Sequence, residues 1–253
     1  MYIKIIGEGE PIVLIHGWGM SGKIWEEFSK LMRRDNKLYI IDLPGMGKSP
    51  IINPYKIDNL IDKIHELIPE KVTIIGWSLG GQIAMKYSLK YPKAVNYLVL
   101  ISTTPCFIRK PGWKFGVSKE FFSKFKKNLL NNWQKTLKSF FLLQIKEDKE
   151  SKNILKKLEN NFMGQQPPTK EGLEKSLEIL EEIDMKNDVK NINIPTLIIS
   201  GKQDIISNYR ASVWMQSQIK ESKIFIFDLA GHIPFVNHQR KCFELVEEFL
   251  GSS

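Results

Sequence analysis

The stretch VTIIGWSLGG, Val72 to Gly81, decides how the rest of the chain is read. Val72–Ile75 has the character of a short buried strand, and Ile83, Ala84 and Tyr87 beyond it fall on one face of a helix. Between them, Gly76-Trp77-Ser78-Leu79-Gly80 fits Gly-x-Ser-x-Gly. A serine on a sharp strand-to-helix turn projects its hydroxyl outward, and its neighbours must be nearly free of side chain for the backbone to close up. The helix start behind the turn aims N–H groups at any negative charge that develops there. As a bare pattern the motif is weak. Set between an aliphatic run and an amphipathic helix, it points to a nucleophile.

Working outward, apolar runs alternate with helical stretches. Tyr2–Ile6 and Ile12–Ile15 read as strands joined through Gly7-Glu8-Gly9 in a hairpin-type connection. The second ends at His16-Gly17-Trp18-Gly19, a tight loop able to offer the Trp18 N–H to an oxyanion. His16 precedes the serine and beside a tight turn reads as a structural hydrogen-bonder. Helix 24–32 and strand Lys37–Ile41 follow. The loop Asp42–Ser49 contains Gly47-Lys48-Ser49, but it lacks phosphate-loop spacing and Pro50 follows it. Helix 57–68 buries Ile57, Leu60, Ile61, Ile64 and Leu67 and leaves His65 exposed. Tyr97–Ile101 is a further strand. Such alternation indicates a mainly parallel sheet covered on both faces.

From Thr103 the alternation stops. Residues 105–188 hold no convincing strand and read as helices over 118–128, 132–145, 151–162 and 170–182, with Ser151 and Thr169 as N-caps. Ile154, Leu155, Leu158 and Phe162 form one apolar stripe; Trp133, Leu137, Phe140 and Phe141 form another. Strands Pro195–Ser200 and Lys223–Phe227 resume the pattern, and helix 240–250 closes it.

The chain has 253 residues and a formal net charge of +9. Residues 109–157 carry 14 Lys and Arg against four acids, a local +10, so the remainder sums to −1. That concentration fits solvated lysine-rich helices or a docking face for an acidic partner. No nucleic-acid recognition motif accompanies it. No apolar run approaches the length of a membrane span, and the N-terminal residues lack a signal-peptide core, so a cytoplasmic protein is expected. Cys106 and Cys242 make no disulfide framework and read as buried hydrophobes. The four histidines lack metal-ligand spacing, and no metal or other cofactor is expected.

A serine nucleophile needs a base to take its proton and an acid to orient that base. In α/β hydrolases they follow in the order Ser, Asp, His on loops after strands. Here Asp204 lies four residues beyond Ser200, and His232 five beyond Phe227. Ser78, Asp204 and His232 therefore form the expected catalytic set. Asp228 is too near His232 in sequence to be the first choice, Asp184 lies among the helices, and His238 suits a capping or surface role. The fold class expected is α/β: a mostly parallel sheet flanked by helices, with an all-helical cap inserted after the sixth strand. Residues 1–107 and 188–253 would form the core and 108–187 the cap.

The segments HGWG (16–19), DLPGMGKS (42–49), GWSLGG (76–81), STTPCF (102–107), GLEKSLEIL (172–180) and GHIPFVNH (231–238) resemble the pimeloyl-[acyl-carrier protein] methyl ester esterases of biotin synthesis. The resemblance spans nearly the whole chain. It implies a serine carboxylesterase acting on an acyl methyl ester, with Ser78 as nucleophile, His232 as base, Asp204 as its orienter and the Trp18 and Leu79 N–H groups as the oxyanion hole. It also implies that Trp18, Trp77 and Phe140 contact substrate and that acyl carrier protein docks on the cap through Lys135, Lys152 and Lys156. Lysines stand where the family has arginines, and Ser139 replaces another basic residue, which removes the bidentate fork. Lys124, Lys126, Lys127 and Lys138 add charge by number. A monomer is expected, with no nucleic-acid or membrane partner. Two alternatives use the same residues: a broad short-chain esterase with no carrier partner, and a ligand-binding hydrolase relative without turnover.

Overall fold

In the computed structural model, which describes residues 1–144, 156, 158 and 166–251, the apolar runs form one seven-stranded sheet. The strands are β1 (Tyr2–Ile6), β2 (Glu10–Ile15), β3 (Asn36–Asp42), β4 (Val72–Trp77), β5 (Val95–Ile101), β6 (Thr196–Gly201) and β7 (Ser222–Phe227). Their order is β1-β3-β2-β4-β5-β6-β7, parallel throughout except for β1. The central strands β2, β4 and β5 are buried along most of their length because helices cover both faces. That double burial is why they read as unbroken aliphatic runs.

The expected β1–β2 hairpin does not form. β1 pairs antiparallel with β3, which lies between β1 and β2. Gly7 and Gly9 adopt positive φ and tuck under the start of β3, where a Cβ on Gly7 would sit 2.3 Å from the Asn36 carbonyl oxygen. Gly7-Glu8-Gly9 fits a turn, but its close approach to a third strand has no sequence signature.

Helices α1 (Glu26–Met32), α2 (Ile57–His65) and α3 (Leu79–Lys90) join the first five strands. The helical insertion α4 (Lys119–Asn131), α5 (Trp133–Gln144) and α6 (Lys170–Glu182) then leaves the sheet after β5, the fifth strand in chain order rather than the sixth. Its entry and exit run side by side: Cys106 bridges Asp184, and the Met185 N–H donates to the Pro105 carbonyl at 2.9 Å. Thr169 caps α6 as expected, accepting from the Gly172 N–H. The third expected cap helix, with Ser151, Ile154, Leu155 and Phe162, falls outside the described residues except at Lys156 and the buried Leu158. Helices α7 (Tyr209–Gln218), α8 (Pro234–Asn237) and α9 (Gln239–Gly251) complete the chain.

His65 is half-buried, not exposed. Its Nδ1 meets the Tyr87 hydroxyl at 2.8 Å and its ring stacks on Tyr91, with centroids 3.8 Å apart. Both tyrosines come from the α3 end of the chain, beyond the reach of a helical-face argument made on α2 alone. Among the described residues no helix is long and apolar enough to cross a membrane.

Candidate active site

β4 delivers Ser78 at the sheet's C-terminal edge, and the turn there is built by exclusion. A Cβ on Gly76 would lie 2.4 Å from the Gly80 carbonyl oxygen, and one on Gly80 would lie 2.2 Å from that of Ile15. Ser78 itself sits at φ 55°, ψ −118°, outside the ordinary regions for an L-residue. Such strain persists only where the surroundings over-determine it. Here the Ser78 N–H donates to the Ile101 carbonyl at 2.9 Å, while its own carbonyl accepts from the Thr103 hydroxyl at 2.7 Å.

Asp204 and His232 come from the loops after β6 and β7, which are tied to each other. The Lys202 N–H donates to the Phe227 carbonyl and the Gln203 N–H to that of Ala230. His232 Nδ1 lies 2.7 Å from Asp204 Oδ2, and Nε2 lies 2.9 Å from Ser78 Oγ. A carboxylate can only accept, so Nδ1 carries the proton and Nε2 is free to accept from the serine. The second Asp204 oxygen takes the N–H groups of Ile206 and Ser207 at 2.8 and 2.9 Å. Both side chains of the His–Asp pair are fully buried. Ser78, His232 and Asp204 are thus brought together as the sequence order leads one to expect. Asp228 instead pairs with exposed Lys202, and Asp184 with Lys110 and Lys186.

His232 is fixed by its backbone as well. Its N–H donates to the Gln144 carbonyl at the end of α5, and its carbonyl accepts from Trp77 Nε1 at 2.9 Å. Trp77 is buried against the His232 and Phe235 rings and does not line the cavity over Ser78. Its expected contact with substrate is therefore corrected: it holds the base loop from behind. Phe235 completes this support by stacking on Trp25 at 4.4 Å.

The backbone N–H groups of Trp18 and Leu79 have no partner among the described residues, and Leu79 opens α3, where helix N–H groups are free. The Trp18 indole faces the cap: Nε1 donates to the Leu173 carbonyl at 3.0 Å, and the ring meets Phe140 and Phe125 edge-on at 5.1 and 5.4 Å. Trp18, Phe140, Leu177 and Leu180 help line an apolar cavity over Ser78 with about 110 Å³ open to the centre of a water molecule. Phe121 and Ile205, 51% and 71% exposed, also line it and mark a way in from solvent. Sequence reading missed Phe121, Phe122, Phe125 and Ile205. The helical spacing of the three phenylalanines was visible, but which face covers the serine was not.

A second hollow lies between α4 and α5, with about 420 Å³ of such space. Lys124 and Lys135 line it together with Asn128, Asn132 and Ser139. It shares Phe121, Phe125, Phe140 and Leu143 with the cavity over Ser78. Lys156 is helical and exposed, and Lys152 lies outside the described residues.

His16 keeps clear of this constellation. Its Nδ1–H donates to the Gly17 carbonyl at 2.7 Å, and Nε2 accepts from the Leu43 N–H at 2.9 Å. Burial holds its pKa below the usual histidine value, against the opposing pull of Asp42. Its role is structural. Among the described residues no three His, Cys, Asp or Glu side chains cluster to hold a metal ion.

A serine hydrogen-bonded to an imidazole that a carboxylate orients can lose its proton as it attacks a carbonyl carbon. That site, on a parallel sheet with a helical insertion before β6, defines an α/β hydrolase, and residues 10–239 match the alpha/beta hydrolase fold family. The resemblance goes further than the fold. A pimeloyl-[acyl-carrier protein] methyl ester esterase of Nitrosomonas europaea is 31% identical over 96% of this chain and 98% of its own. The enzyme of that name from Wigglesworthia glossinidia brevipalpis is 35% identical over 98% and 96%. The chain belongs to the pimeloyl-[acyl-carrier protein] methyl ester esterase family. Among solved structures, an esterase from Exiguobacterium antarcticum superposes with a TM-score of 0.91 at 25% identity, covering 99% of this chain and 95% of that one.

Proposed function

We propose that this chain is a carboxylesterase that hydrolyses the terminal methyl ester of pimeloyl-[acyl-carrier protein], a step of biotin synthesis, releasing methanol and leaving a free carboxylate. The observation that carries the reading is the Ser78–His232–Asp204 hydrogen-bonded chain at the floor of an apolar cavity under a lysine-bearing cap. Near full-length similarity to esterases of that name supports the choice of substrate.

In this reading Ser78 Oγ attacks the ester carbonyl while His232 Nε2 takes its proton. Asp204 holds the imidazole in the tautomer that can do so. The oxyanion rests on the Trp18 and Leu79 N–H groups, each such donor being worth about 3 kcal/mol in the transition state. His232 then protonates departing methanol, and water releases the acid. The product carboxylate is charged, and an apolar cavity holds charge poorly, which favours its release.

Residues 108–187 act as the cap, a boundary supported by the paired entry and exit near Cys106 and Asp184. The acidic carrier docks on it through Lys135, Lys152 and Lys156. Lys124 and Lys135 at the α4–α5 hollow support this, since the hollow shares four residues with the cavity and can pass a tethered chain inward. All three catalytic groups come from one chain, so a single copy carries a complete site, and the enzyme is proposed to act as a monomer. The test is incubation with the methyl ester of pimeloyl carrier protein, followed by intact mass. A product lighter by one CH2 is expected with the native enzyme and not with Ser78→Ala. An unchanged mass with both would overturn the substrate assignment.

A further inference from the structure

A small polar hollow adjoins the apolar cavity. Its lining includes Ser78, Gln82, Ser102, Phe107, Leu180 and Ser207, and it has about 10 Å³ open to the centre of a water, room for about one molecule. Ser78, Phe107 and Leu180 belong to both spaces. Three of its wall residues carry a buried polar atom with no hydrogen-bond partner: Gln82 Oε1, Ser102 Oγ and Ser207 Oγ. Their residues are 1%, 0% and 3% exposed. Buried polar atoms are normally paired, so three orphans on residues that line one hollow call for a shared partner.

Each is held there by the fold. Gln82 is one turn into α3, and its Nε2 donates to the Thr104 carbonyl at 2.9 Å, which fixes Oε1. Ser102 follows β5 at φ 45°, a strained setting for serine, with its N–H on the Ile199 carbonyl. Ser207 sits on the loop whose N–H groups hold Asp204. One acceptor and two rotatable hydroxyls match a water, which can donate to Gln82 and pair with both serines.

We propose that Gln82, Ser102 and Ser207 are positioning residues that hold a water beside Ser78, and that this water supplies the deacylation step. The inference rests on Ser78 carrying the acyl group, as proposed above. Once the alcohol has left, the water moves from the hollow onto the acyl carbonyl. A bond forms between its oxygen and the carbonyl carbon as one of its protons passes to His232 Nε2. Collapse breaks the bond between that carbon and Ser78 Oγ, and His232 returns the proton to Ser78. The acid product then loses its own proton to solvent.

Filling the hollow tests this. Ser207→Val replaces the hydroxyl with methyl groups, and p-nitrophenyl acetate reads acylation and deacylation separately without any carrier protein. The burst rate should stay within about twofold of native, the steady-state rate should fall about tenfold, and mass spectrometry should show acetyl accumulating on Ser78. Ser207→Ala, which keeps the space, should slow the steady state by less than about threefold. A burst and steady state that fall together, or a steady state that does not fall, would overturn the proposal. If Ser207→Val does not fold, Ser207→Thr, which keeps the hydroxyl and adds one methyl, narrows the hollow with the same two outcomes. Turnover surviving in Ser78→Ala would remove the acyl-enzyme, and the water store with it. An inert Ser78→Ala with no deacylation defect in the filled variants defeats the water store alone.

Discussion

Two tryptophans, Trp18 and Trp77, show how differently the core and the cap are built. Trp77 Nε1, at the end of β4, donates to the His232 carbonyl, and its ring packs against His232 and against Phe235 of α8. Trp18 Nε1 donates to the Leu173 carbonyl of α6, and its ring packs against Phe125 and Phe140 of α4 and α5. One indole fixes the reacting groups; the other fastens the cap over them. The core is specified by backbone contacts that allow no extra atom, as at Gly76 and Gly80. The cap is held by apolar side-chain contacts such as those of Trp18 with Phe125 and Phe140, and it carries surface lysines. In the function proposed above, chemistry belongs to the first region and substrate choice to the second.

The largest expected effect breaks the core side. Ser78→Ala should lower kcat by about 10^4- to 10^6-fold, with thermal unfolding near that of the native protein. Substantial remaining turnover would place the nucleophile elsewhere. Gly80→Ala comes next: with a Cβ 2.2 Å from the Ile15 carbonyl oxygen, stability should drop by more than about 4 kcal/mol in denaturant titration. A surface change such as Lys124→Ala should stay within about 0.5 kcal/mol. Equal losses at the two sites would erase the contrast.

The indoles sharpen it further. Trp77→Phe leaves the buried His232 carbonyl without its donor, so kcat should fall about tenfold on every ester, large or small. Trp18→Phe frees the Leu173 carbonyl of the cap instead, and should act mainly on KM for long acyl chains. The smallest effect concerns His16. Its folded pKa is depressed by burial, so the folded state binds fewer protons than the unfolded one near the unfolded value of about 6.5. Its contribution to stability is complete above that pH and is lost as pH falls toward the lowered folded value. His16→Gln should flatten the fall in stability below about pH 6.5, read from unfolding midpoints over that range. A slope unchanged by the substitution would contradict the burial account.

Much of the core was legible because its signals are local. Doubly buried parallel strands must be aliphatic, and a strained serine turn must have glycines. The Ser, Asp, His order places each group on a strand-end loop without knowledge of distances. What escaped depends on contacts between distant segments. The β1 turn packs under β3, His65 finds partners on α3 and just past its end, and Trp77 faces the back of the His232 loop rather than the cavity over Ser78. In the cap, Phe121, Phe122 and Phe125 sit at helical spacing, yet nothing in α4 alone tells which of them reaches over Ser78. The small polar hollow was invisible for the same reason: Gln82, Ser102 and Ser207 meet only after three strands have paired.

The division of labour between core and cap is tested most directly by one pair of rates. The double variant Lys124→Glu, Lys135→Glu should be compared with the native enzyme on the pimeloyl methyl ester bound to carrier protein and on the same acyl ester free in solution. The account predicts that kcat/KM for the carrier-bound ester falls about tenfold at low salt while the free ester is cut at the native rate. Equal rates on both substrates in the variant and native enzymes, or an equal fall on both, would contradict it.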